Sequence, residues 1–400
     1  MSKSKIVGAI EIGTGKVAVL VGEIVNGRSL NIISLGESVS SGVKKGEIIN
    51  FERASQATHA AISQAEKSGG IEVESVYLSQ TGRHLNGFYD TGSINVSASD
   101  HRVSKADISR VVREAKSREL EQNRVYIHHV QNEFKVDGRT VENPFGMEGR
   151  KLEVGYWSIH GDVRRIRDQI HIINGFGMQV EDMIVSSIAS GCMVASDIEK
   201  KNGVLVIDIG CGTTDFVVYK DSYIVYTGVI AVGGDHFTND ISLGVRVSCD
   251  EAEYLKTEYG KAYVDEDTRS DEIKVDQEKR VIRREALYDI LQARAGELFS
   301  LIRRQLEGSV KLEELAGGAI ITGGTAQLSD ITKSAEEVLG LATRVGENPS
   351  WASDNLQSPE YSTPLGLLHY ALNASQKSGS GQNKGSGRGL LGKMGKFFKR

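Results

Sequence analysis

Three scarcities mark this 400-residue chain. It has only three cysteines, Cys192, Cys211 and Cys249, with neither paired nor metal-like spacing. That excludes a disulfide framework and makes a reducing cytosol the expected setting. Only four prolines stand against 45 glycines, a balance that suits an α/β protein with many tight turns. No apolar run approaches the roughly 20 residues of a membrane-spanning helix, and Glu11 breaks the first one too early for a signal peptide. What remains is ordinary for a soluble globular protein, 39% hydrophobic and 25% charged, and long enough for two domains.

The net charge of −5 hides an uneven split. Residues 361–400 carry seven basic side chains and no acidic one, which leaves 41 basic against 53 acidic residues elsewhere. The body is therefore −12 and the tail +7, an asymmetry that points to an anionic partner for the tail.

The most informative pattern is a repeat. Residues 203–219, GVLVIDIGCGTTDFVVY, reproduce the design of residues 5–21, KIVGAIEIGTGKVAVLV. A shift of 197 positions sets Asp208 on Glu11, Gly210 on Gly13 and Gly212 on Gly15. Each copy reads as an apolar strand, a carboxylate, a glycine hairpin and a returning strand. The first hairpin offers Gly13, Thr14 and Gly15, the second Gly210, Gly212, Thr213 and Thr214. Bare glycine backbone admits N–H groups to a phosphate, and Glu11 and Asp208 would face a metal ion or an attacking water. Lys16 either reaches a phosphate or faces solvent.

Further glycine sites fit a nucleotide. Gly323, Gly324 and Thr325 lie between a strand and a helix, where backbone can pack on a base and ribose. Gly233 and Gly234 precede a helix whose first amides could face phosphate. Glu253 and Lys256, three apart on one helix, can contact ribose or base, or form a solvated ion pair.

Strands are expected at 6–12, 17–25, 30–35 and 73–80, with an amphipathic helix near 51–67. Residues 84–161 read as an insertion with strands near 86–96, 124–136 and 151–159 and a helix at 105–117, begun by Ser104 and Asp107. His128 and His129 point to opposite faces of their strand and are structural. Helices follow at 162–174 and 187–199 around a strand at 178–185. A long helix is expected over Lys274 to Arg304, with further helices at 328–340 and 364–374. The Gly/Ser-rich stretch from residue 375 is a flexible linker.

The last thirteen residues, RGLLGKMGKFFKR, set Leu390, Leu391, Met394, Phe397 and Phe398 on one helical face, flanked by Lys393, Lys396 and Lys399. Gly392 and Gly395 each cost about 1 kcal/mol of helix propensity, so the segment folds only on a surface. Its apolar groups, with about 1 kcal/mol per basic residue near anionic lipid, favour reversible membrane attachment. The apolar face argues against a nucleic-acid arm, and the linker against docking on the body.

The order of hairpin, helix, hairpin and Gly-Gly site resembles the actin-like ATPase superfamily. Within it the chain is similar to the FtsA cell-division family, through EIGTGKVAVLVGEI, ITGGTAQLSDI and YSTPLGLLHYA, and through the insertion's Asn143-Pro144-Phe145-Gly146-Met147-Glu148-Gly149. The resemblance implies an α/β, actin-like (ribonuclease-H-like duplicated) fold that binds ATP and Mg2+. The first domain would hold 1–83 and 162–200, and the inserted FtsA-type subdomain 84–161. The second domain would hold 201–235 and 317–374, with its helical subdomain at 236–316. A linker over 375–387 would lead to the amphipathic helix 388–400.

The resemblance also implies function: a subunit that polymerises, ties FtsZ filaments to the inner face of the cytoplasmic membrane at the septum, and helps recruit later division proteins. The FtsZ tail would dock on 236–316, where Arg294 is the first candidate contact; Arg283 and Arg284 are further candidates that could instead belong to a solvated helix face. Two departures bear on turnover. Hydrolysing actins carry Asp where this chain has Glu11, and they place Gln or Glu before the second hairpin, where Val185 to Ser190 offers only serines. A positioned-base gain of roughly 10²–10⁴-fold should be missing, giving tight ATP binding and slow turnover. The pilus-assembly PilM family is the nearest alternative, and a phosphotransferase of the sugar-kinase branch a more distant one.

Overall fold

The computed structural model describes residues 4–264, 272–275 and 280–379. The chain opens with strands β1 (Ser4–Ile12), β2 (Lys16–Val25) and β3 (Ser29–Val39), a small hairpin β4 (Val43–Lys44) and β5 (Glu47–Ile48), helix α1 (Phe51–Gly69) and strand β6 (Ser75–Gln80). The insertion holds β7 (Asn86–Asn95), α2 (Lys105–Ala115), β8 (Arg124–Val136), β9 (Arg139–Val141) and β10 (Lys151–Asp162). Helix α3 (Val163–Gly175), strand β11 (Gln179–Val185) and helices α4 (Ser186–Val194) and α5 (Asp197–Asn202) lead to the repeat. There β12 (Val204–Ile209), β13 (Thr214–Lys220) and β14 (Tyr223–Ile230) precede α6 (Gly234–Val245) and α7 (Cys249–Tyr259). Strands β15 (Glu272–Val275) and β16 (Arg280–Arg283), helix α8 (Arg284–Leu306), strand β17 (Ala319–Thr322), helix α9 (Ile331–Leu339), strand β18 (Thr343–Val345) and helix α10 (Ser362–Gly379) complete it.

The sequence repeat is a repeat of sheets. One sheet runs β11-β6-β1-β2-β3, the other β18-β17-β12-β13-β14. In both, the first three strands form an antiparallel meander and the outer two run parallel to its first strand. Strands buried on both faces need continuous apolar runs, which β1, β2 and β12 supply. One face of the second sheet, through Leu205, Ile207 and Phe216, packs on α6 to α9. Its other face, through Val206 and Val217, joins the core of the first sheet across α4 and α10. Helices α4 and α10 cross closely, since a side chain on Gly366 would lie 2.0 Å from the Ala189 carbonyl oxygen.

In the insertion α2 lies on a four-stranded sheet ordered β7-β10-β8-β9. The expected capping box is present: Ser104 Oγ accepts from the Asp107 amide, and Asp107 accepts from the Ser104 amide. His128 Nε2 accepts from the Val185 amide at 3.3 Å, and His129 Nδ1 lies 2.9 Å from Ser158 Oγ, so the two histidines serve different partners. The insertion also holds the second sheet, where Trp157 Nε1 donates to Thr227 Oγ1 at 2.9 Å.

Several expected elements differ. The helix over Lys274 to Arg304 begins only at Arg284, because β15 and β16 pair Ile273 with Ile282 and bury both. The helix over 187–199 is two helices, parted where Ala195 is extended and Ser196 caps α5 through Glu199. The last helix packs on the first sheet through Leu365, Leu367 and Leu368, while Thr363 at its start donates to Asp208 of the second sheet. It also continues to Gly379, five residues into the expected linker, with Ser375 Oγ donating to the Ala371 carbonyl at 3.0 Å. The tail 388–400, with Leu390, Leu391, Lys393, Met394, Lys396, Phe397, Phe398 and Lys399, lies outside the described residues. Among the described residues no helix is long and apolar enough to cross a membrane.

Candidate nucleotide site

The two glycine hairpins meet tip to tip. The first closes on a hydrogen bond from the Gly13 amide to the Lys16 carbonyl at 3.0 Å, the second on its counterpart from Gly210 to Thr213 at 2.9 Å. A side chain on Gly15 would lie 2.9 Å from Cys211 Cβ, and one on Gly212 would lie 2.4 Å from Thr14 Oγ1. Glycine is needed at both positions for this approach.

Behind the tips three carboxylates share the cleft. Burial, followed by the neighbouring Asp208, pushes Glu11 from 4.5 up to about 8, against the opposing charge of Lys16. Burial also raises Asp208, opposed by hydroxyls of Thr363, at 2.9 Å, and Ser190. Asp215 was not foreseen. It stands opposite Asp208 across the β12–β13 pair, so both point to one face. Burial lifts it to about 7, against hydrogen bonds from Thr81. The signal was in the spacing: seven residues through a four-residue turn return the chain to the same register position.

Clustered carboxylates with raised pKa values are a donor set suited to a hydrated divalent cation, whose charge would ionise them. Among the described residues no three His, Cys, Asp or Glu groups are placed to hold a metal directly.

Lys16 is half-buried and already paired. Its ammonium lies 2.7 Å from Glu37, 2.8 Å from Glu360 and 4.1 Å from the Tyr361 ring centre. Burial works against its charge, but the two carboxylates hold its pKa above the ordinary value. It thus ties the first hairpin to the segment before α10.

The remaining glycine sites surround the second hairpin. The amides of Gly234 and Asp235 donate to the carbonyls of Gly210 and Cys211 at 2.9 and 2.8 Å, and Gly233 N faces His236 Nδ1 at 3.3 Å. These amides therefore brace the hairpin, where the sequence suggested direct phosphate contact. Thr325 Oγ1 donates to the Gly210 carbonyl at 3.2 Å, and Thr214 Oγ1 to that of Val232 at 2.8 Å. Thr213 Oγ1 lies 3.3 Å from Thr81 Oγ1. Gly323 has φ of +85°, and a side chain there would meet Asp208 at 2.4 Å. Gly324 follows it, near Glu360.

Lys256 and Glu253 are both an ion pair and part of this cluster. Lys256 Nζ lies 2.7 Å from Glu253, donates to Thr238 Oγ1 at 2.9 Å and reaches the Gly234 carbonyl at 3.4 Å. Together α6, α7 and the turn 324–327 place a cation, a carboxylate and bare glycine beside the second hairpin.

The three serines of α4 are buried; Ser186 and Ser190 are occupied by structure, whereas Ser187 Oγ has no hydrogen-bond partner among the described residues. Ser186 Oγ donates to the Gln80 carbonyl at 3.3 Å and Ser190 Oγ to the Ser186 carbonyl at 3.1 Å. None is a base near neutral pH.

The three candidate arginines do not form one patch. Arg294 lies on a groove of about 540 Å³ between α6 and α8, with Asp240, Leu243, Ile290 and Glu297. It donates to Asp240 at 2.5 Å and pairs with Glu297. Arg283 ends β16, opposite Glu272, and the Arg284 guanidinium lies 5.7 Å from the Tyr259 ring. Ten helical residues, about 15 Å, separate Arg284 from Arg294.

A duplicated sheet with paired glycine hairpins facing across a carboxylate-lined cleft defines the actin-like fold. Solved structures share it. The PilM–PilN type IV pilus biogenesis complex aligns with a TM-score of 0.61 and 15% identity, covering 91% of this chain and 97% of that one. MreB5 of Spiroplasma citri bound to ADP aligns with a TM-score of 0.56 and 14% identity, over 94% and 99%. The MamK double helical filament gives 0.51 and 12%, over 92% and 98%. The family description "Cell division protein FtsA" matches residues 205–366, and "SHS2 domain inserted in FTSA" matches 82–160. The Cell division protein FtsA of Pseudomonas aeruginosa is 30% identical over 96% of this chain and 92% of its own length. That of Neisseria meningitidis is 31% identical over 98% and 97%. The chain belongs to the FtsA family of cell division proteins.

Proposed function

We propose that this chain is an ATP-loaded, actin-like scaffold that polymerises and ties FtsZ filaments to the cytoplasmic face of the membrane at the division septum. The observation that carries the reading is the contact between the two hairpins over Glu11, Asp208 and Asp215. Phosphates between the tips would part them, so the nucleotide would set how the two domains close. MreB5, with the same fold, binds ADP and AMPPNP. With Mg2+ held through water by Glu11 and Asp208, and only buried serines on α4, turnover should stay below about 1 s⁻¹, the low end of typical enzymes.

Each surface has a part in this reading. The insertion, 84–161, would make head-to-tail contacts, and the filament formed by MamK supports assembly by this fold. The α6–α8 groove would receive the C-terminal tail of FtsZ, with apolar side chains on Leu243 and Ile290 and Arg294 for its carboxylates. The segment 388–400 would lie on anionic phospholipid, and many copies in one filament would make weak attachments firm. Later division proteins would be recruited to the same assembly.

Co-sedimentation with FtsZ on anionic liposomes tests the whole. We expect ATP-dependent co-assembly for the full chain and loss of liposome binding on deletion of 388–400. Unchanged binding after the deletion would refute the membrane assignment, and turnover well above about 1 s⁻¹ would refute the slow-ATPase reading.

A further inference from the structure

The small hairpin β4–β5 has no role in the reading above, yet it reaches into the cleft. Val43 pairs with Ile48 and Lys44 with Glu47, which leaves Lys45 and Gly46 as a two-residue turn. Their φ angles are +53° and +74°. A two-residue turn with both angles positive calls for Asn, Asp or Gly at its first position, where a lysine offers the backbone nothing. A residue kept in unfavourable geometry directs attention to what its side chain does.

The turn is held in place from every side. The Gly46 amide donates to Thr14 Oγ1 of the first hairpin at 3.0 Å. A side chain on Gly46 would lie 2.9 Å from Thr81 Cγ2 and 3.2 Å from Thr213 Cγ2, so the tip is seated against the second hairpin as well. At its base Glu47 pairs with Arg165 of α3, and the Gly42 carbonyl accepts from Ile49 and Asn50 at 2.8 and 3.0 Å. Lys45 itself is exposed and, among the described residues, makes no ion pair or hydrogen bond. Its charge is felt across the cleft: after burial, Lys45 is the main cause holding His236 of α6 below its ordinary pKa. The arm therefore carries an uncommitted ammonium one residue from Gly46, which is seated on the first hairpin, and within electrostatic reach of the helix that braces the other. Lys16, the lysine of the hairpin itself, is already bound by two carboxylates.

We infer that Lys45 is a phosphate ligand, carried by the β4–β5 arm to the terminal phosphates of a nucleotide held between the two hairpins. The inference rests on the nucleotide-binding reading and adds a cation that neither glycine hairpin supplies. It also gives the arm a function, because removal of the phosphates would release Lys45 and leave only Gly46 on the first hairpin.

Titration of the full-length protein with fluorescently labelled ATP, ADP and AMP tests it. Lys45→Asn removes the charge while giving the turn a better residue, and Lys45→Gln removes the charge alone. Loss of a charge-assisted contact should weaken ATP by about tenfold or more in both variants, with AMP unaffected. Thermal stability of Lys45→Asn should hold or rise, and Lys44→Asn should bind as wild type. Unchanged ATP affinity in a folded Lys45 variant overturns the inference, as does an equal loss for ATP and AMP. If the wild-type protein binds none of the three, the nucleotide reading itself falls, and Lys45 with it.

Discussion

Thr81 Oγ1 lies 2.7 and 2.6 Å from the two carboxylate oxygens of Asp215. The threonine follows β6, the strand beside β1, and the aspartate belongs to the second sheet, so this contact latches the two sheets together beneath the hairpin tips. Thr81→Val should leave Asp215 buried without its partner and cost about 1–3 kcal/mol. Thr81→Ser should restore most of it. Chemical denaturation of the three proteins measures both effects.

The carboxylate cluster predicts how stability depends on pH. Glu11 is raised from 4.5 to about 8 and Asp215 from 3.8 to about 7, both chiefly by burial. A carboxyl that holds its proton more tightly when folded stabilises the fold at low pH. That contribution is complete below the ordinary carboxylate range, declines as pH rises above that range, and is gone once pH has passed 7 to 8. Without nucleotide, unfolding free energy should therefore fall across this window by an amount of the order of a few kcal/mol, shared among coupled groups. Glu11→Gln should flatten the fall, and Mg-ATP should oppose it. Urea denaturation at a series of pH values checks each expectation.

Gly233 offers a test of the brace on the second hairpin. A Cβ there would lie 2.5 Å from the Cys211 carbonyl oxygen and 2.6 Å from that of Gly210, both backbone atoms without room to yield. Gly233→Ala should displace the hairpin, cost about 1–3 kcal/mol and weaken ATP by about tenfold or more. Gly138→Ala makes a control for chain stability, since a side chain there meets no atom within 4 Å, although its φ of +80° adds some local strain.

Arg294 is neutralised by Asp240 and Glu297 before any partner arrives. Reversal to Glu sets three carboxylates together on the groove. Affinity for an FtsZ tail peptide should drop by about tenfold or more, whereas Arg283→Glu, at the far end of the helix, should change it little. Fluorescence anisotropy with a labelled peptide separates the two.

Much of the site was legible because it is local. Glu11, Asp208 and the glycines of both hairpins follow from strand–turn–strand patterns that a sequence displays directly. The hairpin β15–β16 was not, since charged residues around Ile273 and Ile282 suit a helix and only burial of that pair decides for strands. Asp215 hid for a different reason. It reads as one more polar residue entering a strand until the register sets it opposite Asp208.

Sequence alone determined the duplication, the hairpin chemistry and the basic, amphipathic tail, because each is written in short consecutive runs, the duplication as two such runs 197 positions apart. Tertiary structure decided the partners. It set Lys16 between Glu37 and Glu360, which lie 21 and 344 positions away, and turned the amides of Gly234 and Asp235 onto the neighbouring hairpin. It also brought Lys45 to the mouth of the cleft. Electrostatics and hydrogen bonds act over a few ångströms, and only the packing of the two sheets fixes which distant side chains come that close.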